Sequence, residues 1–236
     1  MSFEPAVRLT EQIADHLGTE IITGRLKPQA RIQELKVASD LSVSRGSVRE
    51  ALLILESRHL IEIIPRRGAV VSSLDVDQVD DFSELFSELL CQLFVKVAAS
   101  RSRRLDEFKC SMDSMELAVV QDDFDSLVMA RCSFIRAGFP ILNTFYLSAV
   151  LSGLIPTDMR LAHVVSRHPD YDMRDTLRYH QALLEAVRGN DVGRIVELVH
   201  AHSGREKKLV QGLHRPSATR PVVGNFGRSA VAQKAI

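Results

Sequence analysis

Apolar residues in the first third of the chain recur first at helical spacing and then in short β-rich runs. Leu9, Ile13, Leu17 and Ile21 fall four apart and predict a helix over 7–23, which Gly24 and Pro28 end. A short second helix covers 34–41. A third runs over 44–58, with the Ser44 hydroxyl placed to accept a free N–H of its first turn. Within it, Val48, Ala51, Leu52 and Leu55 stand at i, i+3, i+4 and i+7 and form one buried face. Gly46, Arg49 and Glu50 fall on the other side, and Arg45 sits in the first turn. Residues 61–64 and 69–73 are β-rich and flank Pro65-Arg66-Arg67-Gly68, which predicts a hairpin with a basic tip.

From residue 75 the pattern becomes helix after helix. Asp75 or Asp77 caps a long helix through 99, and further helices are expected over 105–119, 123–137, 141–151, 171–188 and 192–213. Gly189-Asn190-Asp191 divides the last two, ending one helix and capping the next. Residues 215–236 hold two prolines and two glycines but no acidic residue and little periodicity. They are expected to be a mobile, solvated tail rather than a basic arm on DNA. The expected fold is mainly α. It has a winged helix-turn-helix with a small β-hairpin wing over 7–74 and an all-α antiparallel helical bundle over 75–214.

A hydrophobic fraction of 45% across 236 residues supports a substantial core. The most apolar stretch, 89–99, is interrupted by Gln92 and Lys96 and is too short to cross a bilayer, so no membrane association is expected. The N-terminus lacks the pattern of a secretory leader. Cys91, Cys110 and Cys132 are odd in number and form no close pair, which reads as free thiols in a reducing cytoplasm. The formal net charge is zero, so a nucleic-acid partner depends on local placement of cations rather than on the total.

That placement is informative in the third helix. A short helix, a tight turn through Ser42 and Val43, and a following helix make a helix-turn-helix, whose second helix enters the major groove by its N-terminal residues. Arg45 is placed to give two parallel hydrogen bonds to guanine O6 and N7. Small Gly46 and Ser47 let the helix end approach DNA closely, and its free N–H groups can hold a phosphate. Arg66, Arg67 and Gly68 form the wing. Taken singly, each feature also fits an amphipathic helix with solvated arginines and an ordinary hairpin; taken in this order, they read as a DNA-binding module.

The run Gly24-Arg25-Leu26-Lys27-Pro28, then Glu34 and Ala38, then residues 43–52 (Val-Ser-Arg-Gly-Ser-Val-Arg-Glu-Ala-Leu) and residues 65–71 (Pro-Arg-Arg-Gly-Ala-Val-Val) closely resemble the GntR family of bacterial regulators. The resemblance implies contacts to a palindromic, double-stranded DNA operator from Ser44, Arg45, Gly46, Ser47, Arg49, Arg67 and Gly68. Family members often carry an Arg near the start of the second helix, where this chain has Leu35, so one phosphate or base contact is expected either to be missing or to be taken over by Lys36 or Arg31.

The helical segment is similar to the effector domain of the FadR subfamily, best around residues 179–187, Gly189-Asn190-Asp191 and His200-Ala201-His202. Many such domains hold a divalent metal with one Asp and three His, a donor set that suits Zn and Ni. His180 and His202 match the last two ligands. Arg131 and Ile135 stand where the Asp and the first His belong, and an Arg cannot ligate a metal. Neither Zn nor Ni, nor any other cofactor, is therefore expected, and His180 and His202 are read as bonded inside the bundle. His200, Cys132 or Asp172 would be needed to complete an altered metal site. The effector pocket is expected around Ser87, Cys91, Arg131, Ile135, His180 and His202. Arg131 either pairs with an anionic effector or is a partly exposed residue or an ion-pair partner of a neighbouring helix.

No nucleophile has a recognisable base beside it, so an enzyme is not expected. The reading is a homodimeric transcriptional repressor whose operator binding is modulated by a small-molecule effector. Its rivals are a ligand- or metal-binding helical protein without specific DNA reading, a regulator that has lost its ligand response and, least supported, a metal hydrolase.

Overall fold

The computed structural model describes residues 5–100, 105–142 and 144–214, with the backbone alone for 5–8 and 214. The tail expected over 215–236 lies outside the described residues. The N-terminal part contains α1 (Pro5–Ile22), β1 (Arg31–Ile32), α2 (Glu34–Asp40), α3 (Arg45–Ser57), β2 (Ile61–Ile64) and β3 (Gly68–Val71). Its apolar cluster joins Ile13, Leu17 and Ile21 of α1 to Val48, Ala51, Leu52 and Leu55 of α3, the face read from the spacing. Leu9 departs from the expected stripe: it is exposed, and Thr10 takes the buried place beside it.

The predicted hairpin is present, with Ile61 opposite Val71 and Ile64 opposite Gly68, but it belongs to a three-stranded antiparallel sheet in the order β1-β3-β2. β1 is two residues long, too short to show an alternating pattern, and it exists because β3 has a free edge. Arg31 pairs with Val70 and Ile32 with Ala69.

The rest is helical: α4 (Val76–Ala99), α5 (Asp106–Gln121), α6 (Phe124–Ala137), α7 (Phe139–Leu142), α8 (Phe145–Val165), α9 (Met173–Arg188) and α10 (Val192–His214). Asp75, not Asp77, caps α4, accepting from the Gln78 N–H at 2.9 Å. Asp123 and Asp172 cap α6 and α9 in the same way, and Asn190 takes a left-handed conformation (φ 53°) between α9 and α10. The core is built on Phe94, Phe108 and Phe134, with Phe108 edge-on to Phe134 at 4.8 Å between ring centroids. Among the described residues no helix is long and apolar enough to cross a membrane.

One element differs substantially from expectation. In place of a helix over 141–151, α7 stops at Leu142, and α8 continues fourteen residues past Leu151, through Pro156. A proline inside a helix removes one backbone hydrogen bond and crowds the preceding turn. Here Leu151, Ile155, Leu161, Ala162 and Val165 are all buried along α8, and that burial outweighs the local preference. The extension brings two further ionisable residues, Asp158 and Arg160, into the interior.

Candidate DNA-reading surface and effector cavity

The N-terminus of α3 is built by Ser44, whose hydroxyl accepts from the Ser47 N–H at 3.0 Å and lies 2.9 Å from the Ser47 hydroxyl. Ser42, at φ 54°, supplies the tight turn between α2 and α3. Arg45 and Gly46 project into solvent at this end. Arg49 is also exposed, and its Nε donates to Glu34 at 2.8 Å. Pairing of β1 with β3 sets Arg31 beside Gly68 of the wing. As a result Arg31, Glu34, Leu35, Arg45, Arg49 and Gly68 line one open groove of about 400 Å³. Leu35, more than half exposed, stands in that groove at the position where the family resemblance implies an Arg, and Arg31 lines the same groove. Lys36 is exposed on α2 but does not line it.

The wing tip turns at Pro65-Arg66, with the Arg67 N–H donating to the Ile64 carbonyl at 3.0 Å. Pro at the second position and a left-handed residue, Arg66 (φ 66°), at the third have the pattern of a type II turn. The side chains of Arg66 and Arg67 are exposed at this tip.

Inside the bundle, Ser87, Arg131, Ile135, His180 and His202 line one cavity between α4, α6, α8, α9 and α10. Cys91 is not part of its lining; its thiol faces the His200 imidazole at 3.7 Å, and burial pushes its pKa up to about 11. Nor do Cys132 and Asp172 line it: Cys132 is buried in the apolar core, and Asp172 is the cap of α9.

Arg131 is buried, and three helices meet on it. Its Nη1 donates to Glu206 of α10 at 2.8 Å, and its Nη2 donates to Asp158 of α8 at 3.3 Å. Burial opposes the guanidinium charge, but Glu206 and Asp158 together outweigh that penalty and hold the proton more firmly than usual. Burial pushes Asp158 up to about 6, with Glu206 adding to the rise and Arg131 opposing it. Burial would raise Glu206 too; there the closer guanidinium and His202 prevail and hold it well below the usual carboxylate range.

His180 donates or accepts at Nδ1 with the Thr176 carbonyl, 2.8 Å away. Burial, with Arg131 and His202 nearby, lowers its pKa to about 3, so it is neutral. His202 stacks flat on Tyr179 at 3.9 Å, and its Nε2 lies 3.4 Å from Glu206. Sequence reasoning missed Asp158, Glu206 and Tyr179. Glu206 had a legible signal, since it follows His202 by one helical turn. Asp158 has none, because the spacing predicts a helix that ends at 151, before it.

A divalent metal does not fit these residues. The guanidinium of Arg131 occupies the space between the two carboxylates that would otherwise be donors, and a second cation there would face strong repulsion. Among the described residues no three of His, Cys, Asp and Glu are grouped to hold an ion.

The sequence profile described as "Bacterial regulatory proteins, gntR family" matches residues 9–71, and the FCD domain profile matches residues 85–205, just over half of the chain. The chain is 24% identical over 200 residues to the gluconate operon transcriptional repressor of Bacillus licheniformis, covering 80% of this chain and 79% of that protein. It is also 24% identical to the HTH-type transcriptional regulator McbR of Escherichia coli, covering 78% and 85% of the two chains. The solved structure of E. coli McbR/YncC shares the fold, with a TM-score of 0.74 over 88% of this chain and 99% of that one, at 20% identity. With a winged helix-turn-helix and an FCD effector domain in that order, the chain belongs to the gntR family of bacterial regulatory proteins.

Proposed function

We propose that the protein is a transcriptional repressor that binds an inverted-repeat operator as a homodimer and releases it in response to a small-molecule effector. The observation that carries the DNA reading is the convergence of Arg31, Arg45 and Arg49 on one groove beside the wing. Arg45, at the α3 terminus, reads a base edge; Arg49 positions on phosphate after exchanging Glu34 for DNA; Arg66 and Arg67 follow the backbone or minor groove. Arg31, rather than Lys36, replaces the cation missing at Leu35, because it lines the same groove. The name of the gluconate operon repressors supports repression.

One helix-turn-helix reads only a few base pairs, so specificity normally needs two heads related by a two-fold axis. The exposed apolar side chains Phe145, Tyr146 and Val150 on α8 support self-association. Division at residue 74 is supported by separate apolar clusters on the two sides. Selection of bound duplexes from a random pool tests the reading, followed by footprinting and light scattering of the complex. A palindromic consensus with one dimer per site is expected; a stable monomer on a non-palindromic site overturns it.

A second reading, a regulator deaf to ligands at the bundle cavity, is favoured by one observation. That cavity measures about 40 Å³, room for a water molecule or two, and its cation is already held by two carboxylates.

A further inference from the structure

A larger space lies between the N-terminal part and the bundle. It measures about 530 Å³, within the range of small-molecule sites, and its walls include Ile21 of α1, Val79 of α4, Leu161 and Val164 of α8, and Val210 of α10. Three cationic residues also line it: Lys27, Arg160 and Arg167. Among the described residues, no Asp or Glu lines it.

Arg160 is the unusual member. It is 4% exposed, yet among the described residues its guanidinium donates only to the Ser72 hydroxyl at 3.0 Å and the Ser72 carbonyl at 2.8 Å. Among the described residues no carboxylate lies within ion-pair distance of it. A guanidinium has five N–H donors, so most of its capacity is unspent. A buried charge without a counter-ion is costly, and burial alone lowers the Arg160 pKa to about 10. Arg131, in the neighbouring cavity, shows the contrasting arrangement, with two carboxylates supplied by the chain itself. Arg167 reaches into the same space from the end of α8 and donates to the Thr23 carbonyl at 3.3 Å.

We propose that this junction cavity is a binding site for an amphipathic anion, with its anionic group on Arg160 and Arg167 and an apolar body of about ten carbon atoms against Ile21, Leu161, Val164 and Val210. The binding claim stands by itself; its regulatory meaning rests on the reading of the protein as an effector-responsive repressor. Both arginines hold the N-terminal part to α8, through Ser72 after β3 and Thr23 after α1. An anion competes with those neutral acceptors for the same donors. Occupancy is thereby linked to the orientation of the DNA-reading head, whose two arrangements the ligand would stabilise differently.

Isothermal titration of the full chain with decanoate and with decyl phosphate, below their micelle-forming concentrations, tests the site, with 1-decanol and decylammonium as controls. One anion per chain is expected to bind, and whichever head group binds more tightly identifies the ligand as carboxylate or phosphate ester. The alcohol and the ammonium are expected to be weaker by about tenfold or more, the value of a charge-assisted hydrogen bond. Arg160→Gln should lose a similar factor. Because Arg160 also tethers Ser72, Val164→Trp provides a second variant, which fills the cavity and leaves every charge in place. Binding of decanol as tight as decanoate overturns the proposal, as does unchanged affinity in Val164→Trp or no binding of either anion. The titration contains no DNA, so its failure is read separately from any failure of operator recognition.

Discussion

The two halves of the molecule use arginine in opposite ways. Arg45 stands in solvent at a helix end with no ion pair among the described residues, whereas Arg131 is buried and held by Asp158 and Glu206. The exposed guanidinium leaves its donors open to solvent, where the proposed operator would take them up. The buried one spends them on its own helices and binds α6, α8 and α10 together. The same residue type therefore stands at a proposed recognition site in one half and at a structural joint in the other, and the supply of carboxylates decides which. Arg160, buried like Arg131 but with no counter-ion among the described residues, lies between the two cases.

The sharpest way to break this comparison is to remove Arg131. Arg131→Met leaves two carboxylates facing each other in the interior, and loss of one partner from a buried pair costs about 3–5 kcal/mol. Urea unfolding should show that loss, while the combined change of Arg131, Asp158 and Glu206 to apolar residues of similar size should recover most of it. Unchanged stability in the single variant would mean that Arg131 is not a structural joint.

Arg45→Ala should leave the unfolding midpoint alone and lower affinity for the selected operator by about tenfold to a hundredfold, relaxing preference at one guanine per half-site. Arg67→Ala should instead weaken binding to all sequences and reduce the salt slope by about one. Equal, sequence-blind losses in both variants would show that the helix and the wing do not divide the work in this way.

A smaller effect separates the buried charges from one another. Asp158 has a folded pKa of about 6, above its ordinary 3.8. Between those values the folded chain holds a proton that the unfolded chain has released, so this group favours folding as pH falls. His180, lowered from 6.5 to about 3, has the opposite effect, because there the unfolded chain takes up a proton that the folded chain refuses. Glu206 stays ionised throughout this window. Asp158→Asn removes the first contribution and leaves the second. Its melting temperature should therefore fall more steeply than the parent's from pH 6.5 to 4, and parallel curves would count against the raised pKa.

The smallest effect is an expected absence of change. Adding a chelator, Zn or Ni should leave the melting temperature of the full chain unaltered, because the Arg131 cation stands among the donors. Near-stoichiometric metal in protein purified without chelator, lost in His180→Ala, would overturn this.

Much of the N-terminal half was legible because its signals are local. A helix face follows from the spacing of Val48, Ala51, Leu52 and Leu55, and a cap from Ser44 three residues before the Ser47 N–H. In the bundle the positions of Ser87, Ile135, His180 and His202 around one cavity followed from family resemblance, while Cys91 fell outside it. The failures share a cause. β1 depends on the free edge of β3, and the continuation of α8 through Pro156 depends on burial against other helices. Neither has a signature within its own stretch of chain.

By itself, then, the sequence determined the class of the protein, the order of its two parts, the helix that carries Arg45 and the presence of Arg131 and Ile135 where the resemblance implies metal donors. All of these depend on residue identity and near neighbours. Only the tertiary structure decided which charges meet. Glu206 lies 75 positions from Arg131 and Asp158 27, and Ser72 lies 88 from Arg160. Spacing along a chain carries no information about such pairings, because they arise when helices pack and the cost of each buried charge must be met by whatever group arrives beside it.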